Sequence, residues 1–213
     1  MSTRVVIITN PAHDRVTQYL HSWSELVISN MKNQLTDVNI HELKNNKVTK
    51  KNLVKLIEEK NPHLILFHGH GGSKIICGFE ANTLIACDDN EELLKSKIVH
   101  SLTCNSGGEL GLKCINLGTK AFIGYKKEFK FAHMGKATSL LQQSDVLAEM
   151  FLRPAFEVNR ALLKGDSPKQ AYKKSQQMYI SNLQILLTSK NPNFGPYRSR
   201  LFHDLINQVV LGN

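Results

Sequence analysis

The first half of the chain alternates between strand-like and helix-like hydrophobic patterns. Continuous runs of apolar and β-branched residues predict strands, whereas apolar residues spaced three or four positions apart predict amphipathic helices. Because helical segments separate the strand-like runs, the pattern indicates an α/β fold with a mostly parallel central sheet and helices on both faces. The predicted core strands are residues 4–9, 38–43, 64–67, 97–103 and 121–125.

Local signals define several of the connecting segments. A helix is predicted over residues 14–32, directly after the first strand. Thr49 is a suitable N-cap for the second helix, and Gly118 is a suitable residue to end the helix predicted over residues 109–117. Residues 74–86 predict a short hairpin or an extended excursion between the third and fourth core strands.

Beyond the fifth core strand the pattern becomes mainly helical. Ser167 at the cap and Pro168 at the first position form a strong helix start. An interruption is expected in the preceding helix at Pro154, because proline breaks or kinks a helix interior. The elements predicted here are a short strand at residues 128–131 and helices at residues 136–164, 168–187 and 197–210.

The composition fits one soluble globular domain. The chain has 213 residues, of which 41% are hydrophobic and 21% are charged, and it shows no internal repeat or low-complexity linker. We therefore predict a single domain over residues 1–213, with a sheet core at about 1–131 and a mainly helical part at about 132–213.

The location of the protein is inferred from its apolar segments and its cysteines. No apolar run approaches the ~20 residues of a membrane-spanning helix, and the first strand is too short for a signal peptide. We therefore expect a cytoplasmic protein, in which disulfides are disfavoured. No Cys-x-x-Cys pair is present, so a structural zinc site is not predicted. The four cysteines, expected to be free thiols, are Cys77, Cys87, Cys104 and Cys114.

The net charge of +9 raises the question of nucleic-acid binding. The lysines are scattered over residues 44–60 and 126–130, and no recognition motif or aromatic cluster accompanies them. This distribution favours a solvated basic face, or a surface for an acidic partner, over nucleic-acid recognition.

Two core strands end in glycine-rich corners that carry reactive side chains. Residues 64–67 run into residues 68–72 (His-Gly-His-Gly-Gly), and residues 97–103 run into residues 104–108 (Cys-Asn-Ser-Gly-Gly). Ligands of open α/β sheets bind outside the carboxyl ends of the strands. A thiol peptidase needs a thiolate, a histidine that moves a proton, and backbone N–H groups that hold an oxyanion.

The glycines of the two corners suit that chemistry. They let a substrate approach His70 and Cys104 closely and let local N–H groups point into the site. The N–H of Gly71 and the N–H of Cys104 itself are the candidate oxyanion donors. A helix that begins near Ser106 would lower the pKa of the Cys104 thiol through its positive end.

Residue chemistry alone leaves other interpretations open. A cysteine at a strand end is more often an inert buried thiol, and the histidine-glycine run also suits a polar turn, a metal-binding loop or a phosphate cradle. The glycine spacing matches neither a P-loop nor a dinucleotide fingerprint. His68 and His70 have no acidic or thiol ligand at a supporting short-range spacing, so no metal and no cofactor is predicted.

The two corners together resemble the paired signature of the caspase-like (clan CD) cysteine peptidases. In that signature one apolar strand ends in His-Gly, and a second ends in a small residue and Cys. Residues 64–71 and then 98–104 match it in order, although Thr103 replaces the usual Ala or Ser. The Phe-x-Gly-His-Gly form is nearest to the CHAT and separase branch. The resemblance covers about residues 4–185.

This resemblance implies a caspase-like three-layer sandwich and endopeptidase cleavage of a protein substrate. It assigns the nucleophile to Cys104 and the general acid/base to His70 rather than His68. It requires no third catalytic residue and no cofactor. It also implies a compact bacterial peptidase that acts on one protein partner, often in defence or cell death, and that a regulatory protein can control.

Substrate selectivity is less well defined by the sequence. Leu102 stands where metacaspases carry an aspartate that binds a basic side chain, which removes the main support for basic specificity. Asp88 could accept a basic substrate side chain, and Lys126 could favour an acidic one. The candidate substrate contacts are His68, Gly69, Asp88, Thr103 and Lys126.

Two other functions are compatible with the same corners. A non-catalytic pseudo-peptidase or binding subunit would keep the fold without the chemistry, although the presence of both His70 and Cys104 argues against it. A flavodoxin-like anion-binding domain would use the corners as a phosphate site, and its ligand binding would be indifferent to Cys104.

Overall fold

The structure is a computed structural model that describes residues 3–31, 34–135, 138–189 and 194–212. Within these residues the chain forms two β-sheets and flanking helices. The strands are β1 (Arg4–Asn10), β2 (Val38–Lys44), β3 (Leu64–His68), β4 (Gly71–Gly72), β5 (Ile75–Cys77), β6 (Thr83–Ala86), β7 (Ile98–Leu102), β8 (Ala121–Tyr125) and β9 (Gln208–Gly212). The helices are α1 (Arg15–Met31), α2 (Lys50–Lys60), α3 (Glu109–Asn116), α4 (Ser139–Gln143), α5 (Val146–Lys164), α6 (Pro168–Thr188) and α7 (Gly195–Asn207).

The large sheet has the strand order β2-β1-β3-β7-β8-β9. Its first five strands run parallel, and β9 pairs antiparallel with β8. The small sheet, β4-β5-β6, is antiparallel and corresponds to the excursion predicted between the third and fourth core strands. The α/β fold with a mostly parallel central sheet is therefore confirmed.

Helices cover both faces of the large sheet. On one face, Ile65 and Phe67 of β3 pack with Leu53 of α2. On the other face, Leu66 of the same strand packs with Val158 of α5. Successive side chains of a strand point to opposite faces, so the unbroken apolar run of β3 is buried on both sides. Each such side chain contributes about 2 kcal/mol to folding through burial.

The helix starts follow the capping signals of the sequence. The Thr49 hydroxyl accepts a hydrogen bond from the Asn52 N–H and caps α2. Ser167 and Gln170 form a reciprocal capping box at the start of α6. Among the residues that the structure describes, no helix is long and apolar enough to cross a membrane.

Two predictions about the helical part are wrong in position. The helix expected over residues 136–164 is two helices, α4 and α5, and the break falls between them. Pro154, where the interruption was expected, lies inside α5. Residues 136 and 137 lie outside the described part. The break occurs because the Asp145 carboxylate accepts hydrogen bonds from the N–H groups of Leu147 and Ala148, and so starts a new helix.

The mainly helical C-terminal part also contributes one strand to the large sheet, where the sequence predicts a helix over residues 197–210. The helix expected over residues 197–210 ends at Asn207, and β9 then pairs with β8 along its whole length. The β-branched residues of this segment favour a strand, and β9 covers an edge of β8 that would otherwise expose unpaired backbone groups. Residues 128–131, expected to be a strand, form an irregular segment instead.

Candidate active site

Three neighbouring strands bring the candidate residues to one edge of the large sheet. Strands β1, β3 and β7 are adjacent, and the last residue of β3 pairs with Leu102 at the end of β7. His70 follows β3 and Cys104 follows β7, and both line one cavity of about 540 Å³. The structure thus brings together the two side chains that the sequence singles out.

Asp14, which follows β1, is a candidate site residue that the sequence patterns do not single out. Its Oδ2 lies 2.5 Å from Nε2 of His70. Its Oδ1 accepts hydrogen bonds from the Thr17 N–H at 2.8 Å and from the Thr17 hydroxyl at 2.9 Å, which caps α1. One carboxylate therefore starts a helix with one oxygen and contacts the histidine with the other.

The charge of Asp14 fixes the tautomer of His70. Burial raises the pKa of Asp14, but the hydrogen bonds from Thr17 and the contact with His70 outweigh it and hold the pKa below its usual value. An ionised carboxylate only accepts hydrogen bonds, so Nε2 of His70 donates. The ring then presents Nδ1 as the nitrogen that can accept a proton. Asp14 thus stands beside the two residues that the sequence singles out, a contact that the sequence does not predict.

His13 lies beside this pair. Its Nε2 is 3.6 Å from Oδ2 of Asp14, and its ring packs edge-on to that of His70 with centroids 5.7 Å apart. Ligand atoms of His13, Asp14 and His70 all lie within 4.8 Å of one another, so these three residues could hold a metal ion. The sequence does not pair them, because the histidines come from segments that follow different strands.

Cys104 lies at a sharp turn after β7. The next residue, Asn105, has φ of 60°, a left-handed conformation that asparagine tolerates better than most residues. The Asn105 N–H donates to the carbonyl of Lys127, which anchors the turn to the segment after β8. Cys104 is half-buried and lines the cavity.

The thiol of Cys104 is not activated by a helix, contrary to expectation. Burial raises the pKa of Cys104; a backbone hydrogen bond from Phe129 opposes this effect, and the charges of Glu128 and Asp204 add to it. The helix expected near Ser106 begins only at Glu109. The Cys104 side chain is therefore a neutral thiol, and it would require a base to become a thiolate.

Thr103 packs behind the site and does not line the cavity. It is buried, and its hydroxyl bonds the hydroxyls of Ser101 and Ser106, each at 2.8 Å. The Ser106 hydroxyl also donates to that of Ser101 at 2.9 Å, so the three hydroxyls form a closed ring. A Cβ atom placed on Gly71 would lie 2.8 Å from Oγ1 of Thr103. Thr103, a predicted substrate contact, is thus buried against Gly71 and not on the cavity wall, and its contact with a substrate stays a prediction.

The pairing of β4 with β5 leaves the N–H of Gly71 directed away from the small sheet. Gly71 pairs with Ile76, and the neighbouring hydrogen bond runs from the Cys77 N–H to the His70 carbonyl at 3.0 Å. In such an antiparallel pair the ladder bonds belong to the flanking residues, so the N–H of the paired residue points outward. This geometry suits an oxyanion donor.

His68, a predicted substrate contact, is buried in a polar network and does not line the cavity. Its side chain is buried, its Nδ1 donates to Oδ1 of Asn10 at 2.8 Å, and its Nε2 accepts from Nδ2 of Asn159 at 2.8 Å. Oδ1 of Asn159 in turn binds Nδ1 of His100 at 2.5 Å. These four residues form a buried polar network between β1, β3, β7 and α5.

The other expected substrate contacts also lie outside the cavity wall. Gly69 has φ of +140°, and a Cβ atom there would meet Pro11 at 3.1 Å, so this glycine serves the turn. The side chain of Asp88 is 83% exposed and forms an ion pair with Lys113. Lys126 is exposed, and its N–H binds the Asn207 carbonyl. The cationic side chains that do line the cavity are Lys130 and Arg200, with His133 and His203.

Histidines of the buried network make the fold sensitive to acid. Burial lowers the pKa of His100 to about 4 from 6.5, and its Nε2 has no partner among the described residues. Between pH 6.5 and about 4, His100 is therefore protonated in the unfolded chain but not in the folded chain. Because the unfolded chain binds the extra proton, the free energy of unfolding falls as pH falls through that range. We expect a loss of about 3 kcal/mol from this group.

The acid sensitivity is measured by urea unfolding at pH 7.5 and at pH 4.5. A His100→Gln variant, which removes the titrating ring, is expected to lose less stability across the same interval than the unmodified protein. Equal losses in the two proteins would contradict this assignment.

Solved structures of cysteine proteases resemble this one. Porphyromonas gingivalis RgpB, in a complex of its pro- and mature domains, matches the whole chain with 14% identity and a TM-score of 0.59. The Arg-specific cysteine proteinase gingipain R also matches the whole chain, with 15% identity and a TM-score of 0.59. A secreted C11 cysteine protease from Bacteroides thetaiotaomicron matches 85% of it, with 12% identity and a TM-score of 0.54.

The likeness is one of fold, not of sequence. No protein-family profile matches the chain, and comparison with curated proteins finds no match. The chain covers 47%, 46% and 60% of the three solved chains, so it spans about half the length of the two gingipain structures. The chain therefore has the caspase-like α/β fold that these cysteine proteases share.

Proposed function

We propose that the protein is a cysteine peptidase with Cys104 as nucleophile, His70 as general acid/base and Asp14 as the residue that orients His70. The observation that carries this proposal is the cavity at the ends of adjacent strands that is lined both by a thiol and by an aspartate-bound imidazole. The caspase-like fold supports it, because the solved proteins with this fold are cysteine proteases.

The geometry supports a general-base mechanism. Nδ1 of His70 accepts the thiol proton of Cys104 as the sulfur attacks the scissile carbonyl carbon, and the Asp14 carboxylate stabilises the imidazolium that forms. The imidazolium then gives its proton to the leaving amine as the C–N bond breaks. His70 next takes a proton from a water that attacks the thioester, which releases the carboxylic acid and restores the thiol.

The developing oxyanion needs donors that are already in place. The N–H of Gly71 points away from its strand partner and is one donor, and the N–H of Cys104 is the other. Gly71 lies close against Thr103, whose hydroxyl bonds Ser101 and Ser106, and Cys104 is the next residue after Thr103, so both donors stand beside this buried ring of hydroxyl groups.

The charge of the cavity supports an acidic substrate. Lys130 and Arg200 line it, so an aspartate or glutamate next to the scissile bond would be attracted, in contrast to the Arg specificity of gingipain R. The substrate is a protein or peptide, one that acts in bacterial defence or cell death. The motif at residues 67–71 supports a place near the CHAT and separase branch of the caspase-like peptidases.

Labelling with peptidyl electrophiles tests the proposal. A library with acidic, basic and neutral residues next to the electrophile is expected to modify Cys104, most rapidly when that residue is acidic. The Cys104→Ala protein is expected to give no adduct, and His70→Ala a much slower one. Cys87→Ala, which removes another partly exposed thiol, is the control and should label normally.

Mass spectrometry of the adducts decides the outcome. Labelling that persists in Cys104→Ala, or that is absent with every electrophile, would contradict a peptidase. Peptide binding without an adduct would indicate a non-catalytic binding subunit, and phosphate binding that is indifferent to Cys104 would indicate an anion-binding domain.

A further inference from the structure

We infer that His13, Asp14 and His70 form a site for a divalent transition-metal ion such as Zn²⁺, and that this ion reversibly blocks the catalytic histidine. The three residues follow β1 and β3, which are neighbouring strands. Their ligand atoms lie within 4.8 Å of one another. The site therefore overlaps the peptidase site through His70 but does not require Cys104.

The distances between ligand atoms suit a metal after a small adjustment. In tetrahedral zinc sites with nitrogen and oxygen ligands, neighbouring ligand atoms lie roughly 3.3 Å apart. Nε2 of His13 is 3.6 Å from Oδ2 of Asp14. Nε2 of His70 is 2.5 Å from the same oxygen, so this hydrogen-bonded pair opens by less than about 1 Å when a metal replaces the proton.

The ligand types match the metal. Two imidazoles and one carboxylate bind zinc in catalytic sites and leave a fourth position for water. The side chains of Asp14 and His70 are 40% and 37% exposed, so an ion can reach them from solvent. Metal binding at this position needs no rearrangement of the sheet.

The surroundings hold two of the ligands in place before the metal binds. Oδ1 of Asp14 is engaged by Thr17 at the start of α1, which leaves Oδ2 as the single ligand atom. The ring of His13 packs edge-on between His70 and Phe79, with centroid distances of 5.7 Å and 5.5 Å. Such outer contacts orient metal ligands and raise affinity.

The expected consequence rests on the proposed function, whereas metal binding itself does not. A metal on Nε2 of His70 takes the place of the proton donated to Asp14. The neutral ring binds the ion through the lone pair of Nε2 and carries its proton on Nδ1, so Nδ1 no longer accepts the proton of the Cys104 thiol. The thiol then stays neutral and unreactive until the ion is removed.

Spectroscopic titration tests the site without reference to activity. Co²⁺ is added to the Cys104→Ala protein, and Zn²⁺ then competes for the same site. We expect one Co²⁺ per chain, with the visible bands of nitrogen and oxygen ligands. In the same background, His13→Asn is expected to weaken binding by about tenfold or more. His203→Asn, a histidine of the same cavity outside the cluster, should not change it.

Two results would overturn the site. One is an unchanged affinity in His13→Asn; a second histidine variant, His13→Gln, and a thermal unfolding curve guard against misfolding. The other is binding that disappears in Cys104→Ala and shows a cobalt–thiolate band in the unmodified protein, which would place the metal on Cys104 and His70.

The inhibitory role has its own readout. Zn²⁺ is expected to suppress electrophile labelling of the unmodified protein, and a chelator to restore it, whereas the labelling rate of His13→Asn, compared with its own metal-free rate, is expected to resist Zn²⁺. Equal inhibition of both proteins would overturn this role. If no labelling occurs while Co²⁺ still binds at His13, the proposed function fails and the metal site stands.

Discussion

Substitution of Asp14 by asparagine is expected to lower kcat for peptide cleavage by about 10³-fold while the fold is retained. Asparagine is as good an N-cap as aspartate, so α1 keeps its start and stability changes by less than about 1 kcal/mol. The amide oxygen would take over the bonds from Thr17, and the amide NH₂ would face Nε2 of His70. Nε2 would then accept instead of donate.

The predicted loss thus comes from the wrong tautomer rather than from misfolding. With Nε2 as an acceptor, the ring proton moves to Nδ1, and His70 no longer takes the thiol proton of Cys104. Steady-state cleavage of a peptide identified by labelling measures kcat, and urea unfolding measures stability. The control is Thr17→Val, which removes a hydroxyl from the cap but leaves Oδ2 of Asp14 on His70. Activity of Asp14→Asn near that of the unmodified protein would rule out the role given to Asp14.

Substitution of Gly71 by alanine is expected to lower kcat by about 10²-fold and stability by about 1–3 kcal/mol. The added Cβ would lie 2.8 Å from Oγ1 and 2.9 Å from Cβ of Thr103, and 3.0 Å from the carbonyl oxygen of Ile75. Neither the buried threonine nor the paired backbone of β5 can retreat easily. The turn would therefore shift, and the Gly71 N–H would move away from the oxyanion.

The adjacent glycine provides a matched control for this substitution. A Cβ atom on Gly72 would meet only Cγ1 of Ile75, at an ordinary contact distance of 3.6 Å. Gly72→Ala should therefore keep both activity and stability. Equal effects of the two substitutions, measured by steady-state kinetics and urea unfolding, would show that the close approach of Gly71 to Thr103 has no functional role.

The core of the fold could be predicted because its signals are local. The buried run of β3, the cap at Thr49 and the capping box at Ser167 each specify an element through residues close in sequence. His70 and Cys104 were singled out because each stands in a glycine-containing corner after a core strand, and because the two corners together resemble a known signature.

The features that the sequence did not predict depend on contacts between segments distant in sequence. Asp14 is an ordinary helix cap in the sequence, and only the adjacency of β1 and β3 places it beside His70. The raised pKa of Cys104 follows from burial of the thiol. The helix that was expected to lower this pKa begins only at Glu109, further along the chain than predicted. The strand β9 forms because β8 offers an edge with which it can pair. The sequence of residues 208–212 alone does not show that this edge is there.

The double role of Asp14 has a thermodynamic consequence. Its side-chain freedom is lost when α1 forms, since the Thr17 N–H and hydroxyl both hold Oδ1. The loss of that conformational entropy therefore occurs during folding, when the first turn of the helix forms. Substrate binding then meets a carboxylate that is already fixed, and no further ordering of this group opposes formation of the transition state.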